Sequence, residues 1–175
     1  MWKKVLLTLT MMFVIFFIIC AILPSTYRVE RTELIQAPDS LIYEQIANFQ
    51  NWTSWSAWAQ RDSLATNSFS GTAATVGQSW DWSGEIVGVG KMEHTALEPL
   101  KRVESRLTFM EPQAMVAKSI LTMEKTPSGF RVNMIMEGTL GYPVERIFGI
   151  IMDDLIGPDF QEGLTNLKTK LESKP

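Results

Sequence analysis

The chain of 175 residues contains one histidine, His94, the side chain best suited to proton transfer near neutral pH. His94 stands where strand alternation predicts an inward-facing aliphatic side chain. It is therefore a candidate general base or ligand contact, acting with a polar neighbour such as Ser119 in a cyclase- or hydrolase-type reaction. The alternative is a buried histidine that is bonded to a backbone carbonyl. The sequence has no GxSxG motif, and it assigns no catalytic residue.

Other reactive groups are few, which excludes several classes of site. One cysteine, Cys20, cannot form an intramolecular disulfide or a multi-cysteine metal centre, and one histidine excludes HExxH chemistry. Asp153 and Asp154 would point about 100° apart on a helix, which is typical of a solvated face and not of a catalytic pair. Gly88-Val89-Gly90 lacks the strand–GxGxxG–helix context of a dinucleotide site. We therefore expect neither a metal nor a cofactor.

An uncharged apolar run, Val5–Leu23, follows two lysines near the N terminus. A helix needs about 20 apolar residues to cross a bilayer core, so we expect a retained transmembrane anchor over residues 1–24. A cleaved signal peptide would have a shorter apolar region and small residues at the cut. A lipoprotein signal would place a small residue before Cys20, where this sequence has Ile19.

The charges indicate a side of the membrane and exclude one class of partner. Lys3 and Lys4 favour a cytoplasmic N terminus, although Arg28 and Arg31 lie close on the other side of the run. We therefore expect a single-pass membrane protein whose soluble domain lies on the extracytoplasmic side. The whole chain has a net charge of −3, which argues against a nucleic-acid partner.

Residues 25–175 are expected to form one α+β domain. Residues 27–36 are strand-like, Pro38 opens a helix, and the polar stretch 62–75 is loop-like. From Val76 onward, the alternation of apolar and polar residues predicts about six strands. Four consecutive strands should form an antiparallel meander, with turns at 98–101, 111–113 and 126–129.

The chain closes with a long helix that needs a surface to cover. Apolar residues recur at roughly helical spacing from Val144 to Leu171, and Leu155 belongs to this stripe. Pro143 is expected to start the helix and Gly157-Pro158 to kink or break it. The free face of the curved sheet is the partner that we expect for this apolar stripe.

A sheet wrapped around a helix leaves a gap wherever small residues line its inward face, and large neighbours then wall that gap. Gly90, Ala96 and Gly138 are small residues of this kind. An apolar concavity is the usual form of a small-molecule site. The candidate ligand-binding residues lie on the expected inward faces or in the tryptophan-rich segment, and they are Trp55, Trp80, Trp82, Met92, His94, Phe109, Ala117, Ser119, Met134 and Met136.

The tryptophans admit two interpretations. Trp52, Trp55 and Trp58 are three residues apart, so on a helical turn they share one side. They form either a lid that gates a ligand or a structural plug that closes the open end of the domain. Trp80 and Trp82 either line the cavity or pack in the core.

Five segments in this order carry a family resemblance: VERTELIQAPDSLIYEQIANF, WTSWSAW, VGQSWDWSGEIVGVGKME, LEPLKRVESRLTF and FRVNMIMEGTLGY. Together they resemble the SRPBCC superfamily of START-like helix-grip proteins, in particular its polyketide cyclase/dehydrase and lipid transport branch. The resemblance covers about residues 27–172. It implies a curved antiparallel sheet of six to seven strands around the C-terminal helix, with a hydrophobic cavity between them. It implies no particular reaction, because the fold hosts carriers as well as enzymes.

These observations favour a membrane-tethered, monomeric domain that binds a hydrophobic small molecule or a lipid without covalent chemistry. One alternative is an enzyme of the cyclase or hydrolase type that uses His94. Another is a protein-interaction module in which the cavity is vestigial. A cavity without convergent polar groups near His94 would favour the carrier over the enzyme, and a cavity filled by its own side chains would favour the interaction module.

Overall fold

The computed structural model describes residues 1–173 and has the α+β helix-grip architecture expected from the sequence. The helices are α1 (Trp2–Ile22), α2 (Asp39–Ala47), α3 (Phe49–Trp52), α4 (Ala57–Gln60), α5 (Glu145–Phe148) and α6 (Met152–Glu172). The strands are β1 (Thr26–Ile35), β2 (Thr66–Ser70), β3 (Ser79–Gly84), β4 (Gly88–Glu98), β5 (Arg102–Glu111), β6 (Met115–Thr126) and β7 (Gly129–Thr139).

The seven strands form one antiparallel sheet in the order β1-β7-β6-β5-β4-β3-β2. Hairpins join β3 to β7 in sequence, so the predicted meander is confirmed. The loop predicted over 62–75 is wrong in part, because Thr66–Ser70 form the edge strand β2 and pair with β3. Phe69 is the one large apolar side chain of this strand, and a single apolar residue gives no alternation that predicts a strand.

Helix α6 covers the concave face of the sheet and packs mainly against β1. Leu164 and Leu167 are completely buried in this interface. The predicted break at Gly157-Pro158 does not occur, because α6 is continuous from Met152 to Glu172. Pro158 has no N–H to donate to the Asp154 carbonyl, but Asp154 is exposed and water can bond that oxygen. The helix also starts later than Pro143, since the short α5 precedes it.

Helix α1 is exposed along most of its length, and Cys20 is its one buried side chain. It is long and apolar enough to cross a membrane. After α1, the chain passes through 23–25 and enters β1, where Thr26 lies opposite Thr139 of β7. The C-terminal end of α1 is therefore held at one end of the sheet.

Candidate ligand-binding cavity

A cavity of about 410 Å³ lies between the concave face of the sheet and helices α4 and α6. Eight of the ten residues predicted from the sequence line it, namely Trp55, Trp80, Trp82, Met92, Phe109, Ser119, Met134 and Met136. They come together because alternate residues of β3 to β7 point to one face of the sheet. Trp55 joins them from the segment between α3 and α4.

His94 does not line the cavity, in contrast to the sequence-based expectation. Its side chain is fully buried, with Nε2 2.9 Å from the Ala47 carbonyl oxygen and Nδ1 2.9 Å from the Ser105 hydroxyl. The Phe49 ring stacks on the imidazole at a centroid distance of 3.9 Å. Helices α2 and α3 thus cover this part of the sheet, and burial lowers the pKa of His94 to about 4. Both ring nitrogens are occupied, which fits the structural interpretation of this histidine.

Ala117 also lies outside the cavity, although it is on the same strand as Ser119. Its neighbour across the sheet is Gly138, over which the Tyr27 ring lies. A Cβ at Gly138 would stand 2.8 Å from Cε1 of Tyr27, so the ring fills the space that the small residues leave. The Tyr27 hydroxyl donates to the Met115 sulfur at 3.7 Å. This aromatic ring closes off the Ala117 end of the gap.

Two other small residues also fail to open the sheet face as expected. The indole of Trp82 covers Gly90, so that position is filled by an aromatic ring. A register irregularity between His94 and Ala96 interrupts the alternation of β4. Ala96 is therefore exposed, and Leu97 packs against the core instead.

The tryptophan-rich segment divides between two roles. Trp52 and Trp55 are buried, and their indole N–H groups donate to the carbonyls of Ile46 at 3.1 Å and Gln45 at 3.4 Å. These two residues fix the segment to helix α2 and also form part of the cavity wall. Trp58 lines the cavity as well, but its buried indole N–H has no hydrogen-bond partner among residues 1–173. Trp58 is thus a wall residue whose indole donor is unpaired within the described part of the chain.

An ion pair stands at the cavity where α4 meets α6. The Arg61 guanidinium contacts the Asp159 carboxylate, and both residues line the cavity. Asp159 is 8% exposed, whereas the Arg61 side chain is 47% exposed. Burial raises the pKa of Asp159 and the charge of Arg61 opposes that rise. The pair joins the two helices and leaves one polar edge on an otherwise apolar wall.

The sequence did not identify the rim of the cavity. Met152, Leu155 and Ile156 of α6 line it, together with Ile86 of the β3–β4 turn and Pro112 of the β5–β6 turn. The sequence predicts that Leu155 packs against the sheet, but this side chain is 62% exposed at the rim. Apolar residues in turns give no periodic signal. For Ile86 and Pro112, the one available sequence signal is that an apolar residue occurs in a turn.

The cavity lining is mostly apolar and includes a few polar side chains. Ser119 of β6 is a buried polar residue of this lining. The Ser56 hydroxyl accepts from the Ala59 N–H at the start of α4. Within the described part of the chain, no three His, Cys, Asp or Glu side chains are placed to hold a metal ion. The cavity thus offers a large apolar surface with a few isolated hydrogen-bonding groups.

Solved structures share this fold at low sequence identity. Protein CV1439 from Chromobacterium violaceum matches with a TM-score of 0.61 and 16% identity, over 86% of this chain and 99% of its own. The Aha1 dimer from Colwellia psychrerythraea matches with a TM-score of 0.57 and 19% identity, over 83% and 96%. The di-domain ARO/CYC StfQ from the steffimycin biosynthetic pathway matches with 0.63 and 10%, over 84% of this chain and 51% of StfQ.

The family of this chain is identified by its sequence. No curated protein matches it. The sequence profile of the family described as "Polyketide cyclase / dehydrase and lipid transport" matches residues 26–172, which is nearly all of the chain after α1. These residues include every strand of the sheet and helix α6 to its last residue. The chain therefore belongs to the polyketide cyclase/dehydrase and lipid transport family of helix-grip proteins.

Proposed function

We propose that this chain is a membrane-tethered protein that binds a hydrophobic small molecule or a lipid without chemically altering it. The observation that carries this proposal is the apolar cavity of about 410 Å³ between the sheet and α6. Small-molecule sites generally have volumes of roughly 300–1,000 Å³, apolar walls and a few polar groups. Five methionines line the cavity and can adapt to ligands of different shape, namely Met92, Met115, Met134, Met136 and Met152.

The polar groups at the cavity indicate an amphipathic ligand. The Trp58 indole N–H has no partner among residues 1–173 and the Ser119 hydroxyl belongs to a lining residue, and either group can bond an oxygen acceptor of a ligand. A ligand with an apolar body and an ester, acid or ketone oxygen would satisfy both the wall and these groups. A purely aliphatic ligand would leave the Trp58 donor buried and unbonded, at a cost of about 1–3 kcal/mol.

A reaction is disfavoured by the placement of the acid and base groups. His94 is bonded through both nitrogens and lies away from the cavity. Asp159 is paired with Arg61, and Glu111 lies exposed at the rim. The family description names lipid transport beside cyclisation, and the lining of this cavity fits the former better.

Native mass spectrometry of the full-length chain tests the proposal. The protein is purified from membranes of its own host in amphipol, and we expect a stoichiometric apolar molecule to remain bound. Ser119→Phe fills the floor of the cavity and should remove that molecule, whereas the matched control Ser119→Ala should retain it. Wild-type protein without any bound molecule, or wild-type protein that converts the molecule into a product, would overturn the proposal.

A stability measurement shows whether Ser119→Phe acts through an empty cavity. If the space is open, Ser119→Phe should change the unfolding free energy by less than about 1 kcal/mol, because no neighbour must move. Ala117→Phe lies two residues away on the same face but beside Gly138, which the Tyr27 ring covers. It should destabilise by about 1–3 kcal/mol through overpacking. Equal losses from both changes would indicate a filled core and the interaction-module alternative.

We propose further that α1 is retained as a single-pass anchor and that the domain lies on the extracytoplasmic side. Its length and composition support the anchor, and Lys3 and Lys4 before it support the orientation. An impermeant maleimide should label Ser128→Cys, in a Cys20→Ala background, on intact cells. Labelling that requires lysis would place the domain on the cytoplasmic side. N-terminal sequencing of the mature protein should begin at residue 1 or 2, and a start near Tyr27 would contradict the anchor.

A further inference from the structure

The cavity rim and the end of the anchor lie at the same end of the sheet. Thr26 at the start of β1 is opposite Thr139 at the end of β7. The antiparallel register continues this edge through the start of β6, the end of β5, the start of β4 and the end of β3. The turns that carry Ile86 and Pro112 of the rim are therefore at the end of the domain from which α1 emerges.

A run of exposed apolar side chains occupies the same end. We call residues 142–155, which include α5 and the start of α6, the rim segment. Seven of its large apolar side chains are 38–63% exposed, and they are Tyr142, Val144, Ile147, Phe148, Ile150, Ile151 and Leu155. Contiguous apolar surface of this kind on a soluble domain marks a contact with another apolar partner.

The rim segment is in direct contact with the anchor helix. The Tyr142 hydroxyl donates to the Phe17 carbonyl at 3.2 Å, and the two rings are 6.0 Å apart. The Arg146 guanidinium donates to the carbonyl oxygens of Cys20 at 3.3 Å and Ala21 at 3.1 Å. A cation suits the C-terminal end of a helix, where carbonyl oxygens lack helical donors. These contacts hold the rim segment beside the last turns of α1.

The contacts with α1 also indicate how deep the rim segment lies in the membrane. Phe17 precedes the end of α1 at Ile22 by five residues, which is about 8 Å along the helix axis. Apolar faces of interfacial helices enter the boundary between headgroups and acyl chains by about 5–10 Å. When α1 spans the bilayer, Tyr142 at the level of Phe17 therefore lies within that boundary. The Arg146 guanidinium also lies over the Tyr142 ring, 5.5 Å from its centroid, in a cation–π contact.

We propose that the rim segment rests in the bilayer interface and that the cavity opens onto the membrane there. Met152, Leu155 and Ile156 belong to α6 at the edge of this segment and line the cavity, so the membrane contact and the entrance share one element. The occupant is then a membrane lipid or another molecule dissolved in the bilayer, and it reaches the cavity without crossing water. This inference rests on the proposed ligand-binding function and adds the source of the ligand.

Spin labelling of the full-length chain tests the membrane contact without any ligand. In a Cys20→Ala background, Phe148→Cys in the rim segment is compared with Ser128→Cys, which is exposed on the β6–β7 turn at the far end of the sheet. In phosphatidylcholine vesicles, the label at 148 should collide several-fold more often with oxygen than with a water-soluble nickel chelate. The label at 128 should show the reverse. Equal access of both labels to the nickel chelate would overturn the membrane contact.

Photo-crosslinking tests the entrance. The full-length chain is placed in phosphatidylcholine vesicles that contain a phosphatidylcholine with a photoreactive acyl chain. We expect crosslinks both to the rim segment and to Phe109 or Met134 inside the cavity, with the inner crosslinks lost in Ser119→Phe. Crosslinks confined to the rim segment would overturn the entrance for bilayer lipid, while a molecule retained in native mass spectrometry would still support the proposed function. The absence of crosslinks both in the rim segment and inside the cavity would overturn the whole inference.

Discussion

The Nε2 atom of His94 lies 2.9 Å from the carbonyl oxygen of Ala47, which ties the middle of β4 to the end of α2. A carbonyl only accepts, so Nε2 carries the proton and Nδ1 accepts from the Ser105 hydroxyl at 2.9 Å. The imidazole is thereby a neutral link between the sheet and its helical cover. The residue that attracts a catalytic interpretation in the sequence has a structural role in the fold.

His94→Ala should therefore lower stability and not ligand binding. The change removes two hydrogen bonds and the Phe49 stack, and it leaves the buried Ala47 carbonyl unbonded. We expect a loss of about 2–4 kcal/mol in the free energy of unfolding, measured with urea. Ser105→Ala, which removes one of the two bonds, should cost about 1 kcal/mol. If His94→Ala kept the stability of the wild type but lost ligand binding, His94 would have a role in the cavity.

Protonation of His94 should make the protein less stable in mild acid. Burial lowers the pKa of His94 from 6.5 to about 4, so between these values the unfolded chain binds a proton that the folded chain does not. Stability is then complete above pH 6.5 and falls as the pH decreases toward 4. Between pH 7 and pH 5 we expect a loss of about 2 kcal/mol.

Urea titrations across this range check the prediction, with His94→Gln as the control. His94 is the single histidine, so the variant should remove most of the slope between pH 7 and pH 5. An unchanged slope in His94→Gln would assign the effect to other groups. The raised pKa of Asp159 acts in the opposite direction, because protonation of that buried carboxyl favours the folded state.

The domain should fold without its anchor. Every member of the hydrophobic core cluster and every residue packed against it lies between Tyr27 and Leu171. We expect residues 25–175 to show one cooperative urea transition with a midpoint that does not change with protein concentration, as for a monomer. Loss of cooperativity would mean that the contacts of Tyr142 and Arg146 with α1 are part of the folding unit.

The inward face could be predicted from the sequence for most of β3 to β7, but the element that covers each part of that face could not. Strict alternation placed Phe109, Ser119 and Met134 on the concave side, and the structure has them there. His94 and Ala117 share that side, yet α2 with α3 covers the first and Tyr27 lies beside the second. The alternation of apolar and polar residues along a strand predicts which side chains are buried. It does not predict whether the atoms that cover them belong to the protein or to a ligand. The bulge beside Ala96 has no sequence signature of this kind.

Trp58→Phe tests whether the free indole N–H belongs to the ligand site. In the empty protein the change removes a buried donor without a partner among residues 1–173, so stability should stay equal or rise by up to about 1 kcal/mol. Affinity for a ligand with an oxygen acceptor should fall by roughly tenfold, or about 1.4 kcal/mol. Trp55→Phe, which removes a bonded indole, should instead lower stability. Unchanged affinity in Trp58→Phe would exclude the donor from the site.

Two leucines of α6 lie in different environments: Leu167 packs against the sheet, and Leu155 lies at the rim of the cavity. The apolar stripe read from the sequence has a five-residue step from Leu155 to Phe160, which shifts the phase by about 140° at 100° per residue. Leu155 is consequently 62% exposed, whereas Leu167 is completely buried. Leu167→Asp should cost more than about 4 kcal/mol, because it buries an unpaired charge.

Leu155→Asp, the same change twelve residues earlier, should alter the free energy of unfolding of residues 25–175 by less than about 1 kcal/mol. An acidic side chain in the early turns of a helix also interacts favourably with the helix dipole, which offsets the lost apolar contact. Urea unfolding of both variants checks the pair. A mild effect of Leu167→Asp would mean that α6 does not hold the sheet through this face, and a severe effect of Leu155→Asp would mean that the rim is part of the core.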